Sequence, residues 1–329
     1  MEPRGAARLV DVAERAGVTV STASRALSRP DMVRPATRAR VEAAARALQY
    51  EPNRMARSLI TGRSTAIAAI IPAITNSYFA VICQAARQAA GVRGFDFVIV
   101  ETDGDPARER EAVRAASQWS AGMIICSARR AHGSHSSGVP IVYANRRSRG
   151  AHGVVLDQQF TVETQIEHLL DLGHERILWV SGPKGLAATE ARLRHVRRLA
   201  VHHDIRIVYD VPPSATGGVR LAEELHPEVT AVAVFADSQA VGFLSRASQL
   251  GISVPGDVSL IGADDIPVAE FTSPPLTTVH APKEQMGRAA VSLLLDHHWD
   301  DSAVILETLR GHLVVRGSTA PPRGVRAST

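Results

Sequence analysis

The sequence reads as an α/β chain: a helix-turn-helix head at the N-terminus, then two doubly wound parallel-sheet subdomains. Three observations predict this. First, charge is divided: residues 1–63 carry 12 Arg and 6 acidic residues, while the rest of the 329 carry 25 bases and 27 acids, so a +6 head precedes a −2 body. Second, apolar residues in the first fifty positions recur at helical spacing in three short stretches. Third, continuous apolar runs alternate with amphipathic stretches from Ala66 onward, the rhythm of βα units whose helices cover both faces of a parallel sheet. With 45% hydrophobic and 21% charged residues, the chain can build several cores and is not disordered on composition.

In the head, Leu9, Val12, Ala13 and Ala16 form the stripe of a first helix, which Gly17 stops. Thr19 is placed to cap a second helix, in which Ala23 and Leu27 share one face and Ser21, Ser24 and Arg25 the other. A third stripe, Val41, Ala44, Ala45 and Leu48, starts near Pro35, a residue suited to a first helical turn. A helix, a tight glycine turn and a second helix exposing Ser, Ser and Arg form an arrangement that lays the second helix in a major groove. Spacing alone leaves open a generic three-helix bundle with a solvated Arg25.

The residue strings are more specific: Asp11-Val12-Ala13-Glu14-Arg15-Ala16-Gly17-Val18-Thr19, Ser24-Arg25, Val33-Arg34-Pro35-Ala36-Thr37-Arg38 and Tyr50-Glu51-Pro52-Asn53, before Ala56-Arg57-Ser58-Leu59. They resemble the DNA-binding head of the lactose-repressor (LacI/GalR) family of bacterial transcription regulators. The resemblance implies base reading by Val20, Ser21 and Arg25. Arg25 has the fork to donate twice to a guanine, and Val20 offers only apolar contact. Thr19, Thr22, Ser24 and Thr37 are the hydroxyl donors suited to phosphates, which orient without reading sequence. Two positions depart from the family: Ser28 replaces a usual Asn, and Gln49 a usual Gly at the end of the third helix. By the same resemblance, residues 52–63 are a hinge helix and linker, with Ala56, Arg57 and Leu59 at the minor groove and Leu59 the wedge that kinks the operator. The plainer alternative is a linker with one exposed leucine.

The body's apolar runs at 66–71, 95–100, 123–126, 141–143, 177–180, 205–209, 231–235 and 258–261 predict strands. The intervening stretches near 81–90, 109–119, 162–172, 192–201, 219–225 and 240–250 predict helices. Ligands of open parallel sheets sit beyond the carboxyl ends of the strands, so a cleft between two such subdomains is the expected site.

Asn76-Ser77-Tyr78-Phe79, Thr102-Asp103-Gly104-Asp105-Pro106, Leu172-Gly173-His174-Glu175-Arg176, Gly262-Ala263-Asp264-Asp265 and Ser273-Pro274-Pro275-Leu276-Thr277-Thr278 resemble that family's effector-binding, periplasmic-binding-protein-like domain. The resemblance implies three domains: DNA-binding at 1–51, hinge and linker at 52–63, and effector-binding and dimerising at 64–329. The last divides into 64–159 plus 281–308 and 160–280 plus 309–318. It implies effector contacts from Tyr78, Phe79, Asn145, Arg194 and Asp237: two aromatic faces, an amide, a bidentate donor and an acceptor, a set that suits a polyhydroxylated ligand. Tyr78 and Phe79 could instead pack a core or lid, and Asp237 could cap a helix. Ala73, Asn145 and Pro213 replace an Asp, an Asp and an aromatic common in the family, so ligand specificity does not carry over.

Other classes find little support. GxSxG, Walker-type and GxGxxG strings are lacking, and the neighbours Asp264 and Asp265 suit structural or closure roles better than paired catalysis. Cys83 and Cys126 read as core residues, and His132/His135, His202-His203 and His297-His298 as solvated surface, with no metal or other cofactor expected. Only Lys184 and Lys283 of the 37 bases are lysines. With no apolar leader and no 18-residue apolar run, a cytoplasmic protein, nucleoid-associated when on DNA, is expected. The favoured reading is a homodimeric, non-enzymatic transcription regulator of near-palindromic operators. By resemblance it represses a carbohydrate or related catabolic operon under control of a sugar-like effector. A solute-binding protein and a sugar-modifying enzyme are the competing classes.

Overall fold

The computed structural model describes residues 7–28, 30–50, 64–126, 138–148, 150–297, 299 and 304–323. The hinge positions Ala56, Arg57 and Leu59, and also His132, His135 and His298, lie outside them.

The described residues fall into two compact units, one within 1–65 and one within 66–329. In the first, α1 spans Leu9–Ala16, α2 Val20–Ser28 and α3 Pro35–Ala47, with a 3₁₀ turn at Pro30–Met32. Gly17 ends α1 at φ 62°, the left-handed conformation that glycine adopts without a Cβ penalty, and the Val18 N–H returns to the Ala13 carbonyl at 3.0 Å. Thr19 caps α2 as expected, its Oγ1 accepting from the Thr22 N–H at 3.3 Å. The core consists of Val12, Ala13, Ala16, Ala23, Ala26, Val41, Ala44 and Ala45. Small side chains let three short helices approach closely, because none is stable alone at this length.

The second unit contains two six-stranded sheets. In the first, the order is β11(Leu306–Leu309), β5(His152–Leu156), β4(Ile141–Ala144), β3(Gly122–Ile125), β1(Ala66–Ile71), β2(Asp96–Glu101). In the second, it is β12(His312–Val314), β10(Thr277–His280), β9(Ser259–Asp264), β8(Ala231–Ala233), β6(Arg176–Val180), β7(Asp204–Val208). All pairings are parallel except β10 with β12. Both sheets therefore repeat the 2-1-3-4-5 order of doubly wound folds, whose winding reverses beside the first strand and opens a crevice there.

The helices of this unit are α4(Ser77–Val92), α5(Pro106–Ala116), α6(Gln158–Asp171), α7(Ala187–Leu199), α8(Ala215–Glu223), α9(Asp237–Gln249) and α10(Lys283–Asp296). Ile82, Ala86, Met286, Ala290 and Leu294 pack α4 and α10 on the first sheet. Val162, Ile166, Leu193 and Val196 pack α6 and α7 on the second. The chain passes between the sheets after Leu156, again between His280 and Lys283, and a third time between Leu309 and His312. The apolar alternation did not announce β5, β10, β11, β12 or α10. Strands of three to five residues carry too few side chains to show a period, and the α10 sequence mixes polar and apolar residues.

Candidate functional sites

The second helix of the head exposes Val20, Ser21 and Arg25, while Ala23 and Ala26 are buried beneath them. Val20 is 45% exposed, an apolar side chain left in water at the start of a helix. Arg25 folds back so that its Nε–H donates to the Ser21 carbonyl at 3.3 Å. Thr19 Oγ1 lies 3.0 Å from Ser21 Oγ and 2.9 Å from Thr22 Oγ1, a hydroxyl cluster at the helix N-terminus, where backbone N–H groups and the helix dipole favour an anion. Ser24 and Thr37 are half-buried. Gln49 ends α3 at φ 51°, so the turn before Tyr50 survives without the family's glycine, at the cost of a left-handed non-glycine residue.

A cleft of about 590 Å³, counting its open mouth, lies at the carboxyl ends of the strands of both sheets. Tyr78 and Phe79 enter it from α4, edge to face at 5.4 Å. Asn145 follows β4 at φ 58°, Arg192 comes from α7, Phe235 follows β8 and Asp264 ends β9. Arg192 is buried. Its Nε–H donates to Gln158 Oε1 at 2.6 Å, its Nη1–H to the Phe235 carbonyl at 2.6 Å, and its guanidinium lies 4.5 Å over the Phe235 ring. Gln158 in turn donates to Asn145 Oδ1 at 3.2 Å.

Two expected residues sit elsewhere. Arg194 is exposed and does not line the cleft. It lies two residues from Arg192 on one helix, about 200° around the axis, so the two point to opposite sides. Asp237 lies fully buried behind the cleft, where its Oδ1 accepts from the Thr278 hydroxyl at 2.7 Å and its Oδ2 from the Ile266 N–H at 3.0 Å. Burial, and next the neighbouring Asp264 charge, push its carboxyl up to about 8. Asp237 thus ties α9 to β10 and to the segment after β9, and the acidic group in the cleft is Asp264. Burial raises Asp264 to about 6 against the opposing pull of Arg192 and Lys283.

Sequence reasoning missed Arg192, Phe235 and Asp264 as cleft residues, and Gln158 as the residue that links Arg192 to Asn145. For Asp264 a signal existed, since it ends a buried apolar run where such sheets place ligand contacts. Its neighbour Asp265 turns away to His280 Nδ1 at 3.0 Å and Arg316 at 2.8 Å, and the His280 hydrogen bond leads in holding it down to about 2. Cys83 and Cys126 are buried, and burial pushes the Cys83 thiol up to about 12. Among the described residues, no helix is long and apolar enough to cross a membrane.

Residues 8–53 match the model of bacterial regulatory proteins, lacI family, and residues 166–319 that of a periplasmic binding protein-like domain. The HTH-type transcriptional repressor CytR of Escherichia coli (strain K12) is 30% identical over 345 residues, covering 95% of this chain and 96% of the relative. The chain belongs to the lacI family of bacterial regulatory proteins. A second relative, the ribose operon repressor of Bacillus subtilis (strain 168), is 31% identical over 88% of this chain and 91% of its own. The Lac repressor dimer bound to operator and the anti-inducer ONPF superposes with a TM-score of 0.84 at 25% identity, over 95% of this chain and 99% of that one. As a lacI-family member, the chain is a DNA-binding transcription regulator with an effector-binding body, in a family of regulators and not of enzymes.

Proposed function

We propose that the protein is a cytoplasmic, homodimeric repressor of a carbohydrate or related catabolic operon, divided into head, hinge and body at 1–51, 52–63 and 64–329. The observation that carries this is the α2 surface, where Val20, Ser21 and Arg25 face solvent above a packed alanine core. Val20, Ser21 and Arg25 read bases, and Thr19, Thr22, Ser24 and Thr37 hold phosphates. Ala56, Arg57 and Leu59 contact the minor groove. A two-fold dimer presents two such helices, so the operator is near-palindromic. The +6 head supplies a salt-dependent grip on phosphates.

In the body, Tyr78, Phe79 and Asn145 bind a sugar-like effector, with Arg192 and Asp264 in the parts expected of Arg194 and Asp237. Aromatic faces beside an amide and a carboxylate suit a ring that carries hydroxyls. The effector acts by binding one arrangement of the body more tightly than another, since equal affinity shifts nothing. A solute-binding protein would have no use for the helical head.

A gel-shift titration tests the reading: a selected palindromic site should outcompete random DNA at physiological salt. Equal competition by random DNA would sink it. Calorimetry with a panel of pentoses, hexoses and disaccharides then tests the effector class.

A further inference from the structure

Lys283 is the first residue of α10, and its side chain is only 2% exposed. A cation there is disfavoured twice, because burial strips its water and the helix N-terminus is the positive end of the dipole. Its surroundings compensate. The ammonium donates to the backbone carbonyls of Asp264, Asp265 at 3.1 Å and Ala281 at 3.1 Å, three acceptors for three N–H bonds. Asp264 and Asp265 both hold positive φ, at 112° and 54°, a conformation that strains residues other than glycine. The residue type is itself informative. Of 37 bases this chain uses only two lysines, and one of them stands where a compact three-donor ammonium fits and a flat guanidinium fork does not.

The geometry crosses the body. Helix α10 packs on the first sheet through Met286, Ala290 and Leu294, whereas Asp264 ends β9 of the second. We propose that Lys283 is the positioning residue of the cleft, a latch by which the first subdomain holds the strained end of β9 so that Asp264 faces the ligand. Effector capture at Asp264 and the relative setting of the two subdomains are thereby one event. This rests on the cleft being the effector site, but the test below does not use an effector.

Nitroxide labels at Ala115 on α5 and Val201 after α7, both exposed, report the distance between subdomains by double electron–electron resonance. The full-length protein is spin-diluted with unlabelled chain. The native Cys83 and Cys126 are buried and would take little label. Wild type and the control Lys184→Met, whose residue is exposed, should give one narrow distribution. Lys283→Met should broaden or split it by about twofold, as expected when a second arrangement becomes populated. Lys283→Arg should fail to restore it, which a role as a mere buried charge would not predict. If Lys283→Met does not fold, Lys283→Gln, which keeps two donors, should still broaden the distribution. A wild-type distribution in the folded Met or Gln variant overturns the proposal, and so does full restoration by Arg.

Discussion

Arg192 Nε lies 2.6 Å from Gln158 Oε1, and this bond decides which arginine of α7 belongs to the cleft. Arg192 is buried and Gln158 half-buried, so removing Gln158 leaves the Arg192 Nε–H short of a partner, and removing Arg192 leaves Gln158 Oε1 without its donor.

Arg192→Ala should therefore lower stability by about 1 to 3 kcal/mol and weaken binding of whichever sugar the wild type takes by at least about tenfold, near 1.4 kcal/mol. Arg194→Ala, at an exposed site, should change both by less than about 0.5 kcal/mol. Urea denaturation and calorimetry on the two variants check this; an unaltered sugar affinity in Arg192→Ala would remove that residue from the site.

Arg25→Ala should lose about 1 to 3 kcal/mol of discrimination at one base pair per half-site, while leaving nonspecific binding nearly intact. Gel shifts on operators mutated one pair at a time measure it. A uniform loss across all operator variants would assign Arg25 to phosphate instead.

A Cβ at Gly262 would sit 1.9 Å from Asp237 Oδ1, so Gly262→Ala should destabilise the body by about 3 kcal/mol or more, through overpacking and a displaced buried carboxyl. Asp237 has its own pH signature. Its folded-state value of about 8 exceeds the ordinary carboxylate range, so the folded protein holds this proton more tightly than the unfolded chain does. The stability it contributes is complete below about pH 4 and is lost as pH rises towards 8. Asp237→Asn keeps two polar contacts if the Thr278 hydroxyl rotates, and its unfolding free energy should fall less than the wild type's between pH 4 and 8. Parallel curves for the two proteins would contradict the assignment.

Gln49 holds φ 51° at the end of α3. Gln49→Gly should relieve that strain and stabilise the head by about 0.5 to 1 kcal/mol, net of the extra freedom glycine has when unfolded. The helical melting transition of the full-length protein should rise by a few degrees.

Local pattern was enough for much of this protein. The stripes Val12, Ala13, Ala16 and Val41, Ala44, Ala45 predict α1 and α3 because burial on one helix face imposes a 3.6-residue period. The run 66–71 predicts β1 because both faces of a parallel sheet are covered. The exposed Ser21 and Arg25 were likewise readable, since a polar stripe opposite an apolar one fixes what faces out, whereas the apolar Val20 was named only through the family resemblance.

The cleft was not readable in that way. Arg192 and Arg194 are alike in type and neighbouring in position, and only the packing of α7 on the second sheet turns one inward. Asp237 and Asp264 both follow apolar runs, yet Thr278 and the Ile266 amide claim the first and leave the second at the cleft. Lys283 meets Asp264 and Asp265 only because the chain crosses between the sheets after β10. The head's helices, the longer apolar strands, part of the head's exposed face and the family were thus determined by the sequence itself, since periodicity and short motifs are local. The lining of the cleft was decided by tertiary structure, where residues far apart in sequence compete for the same buried hydrogen bonds.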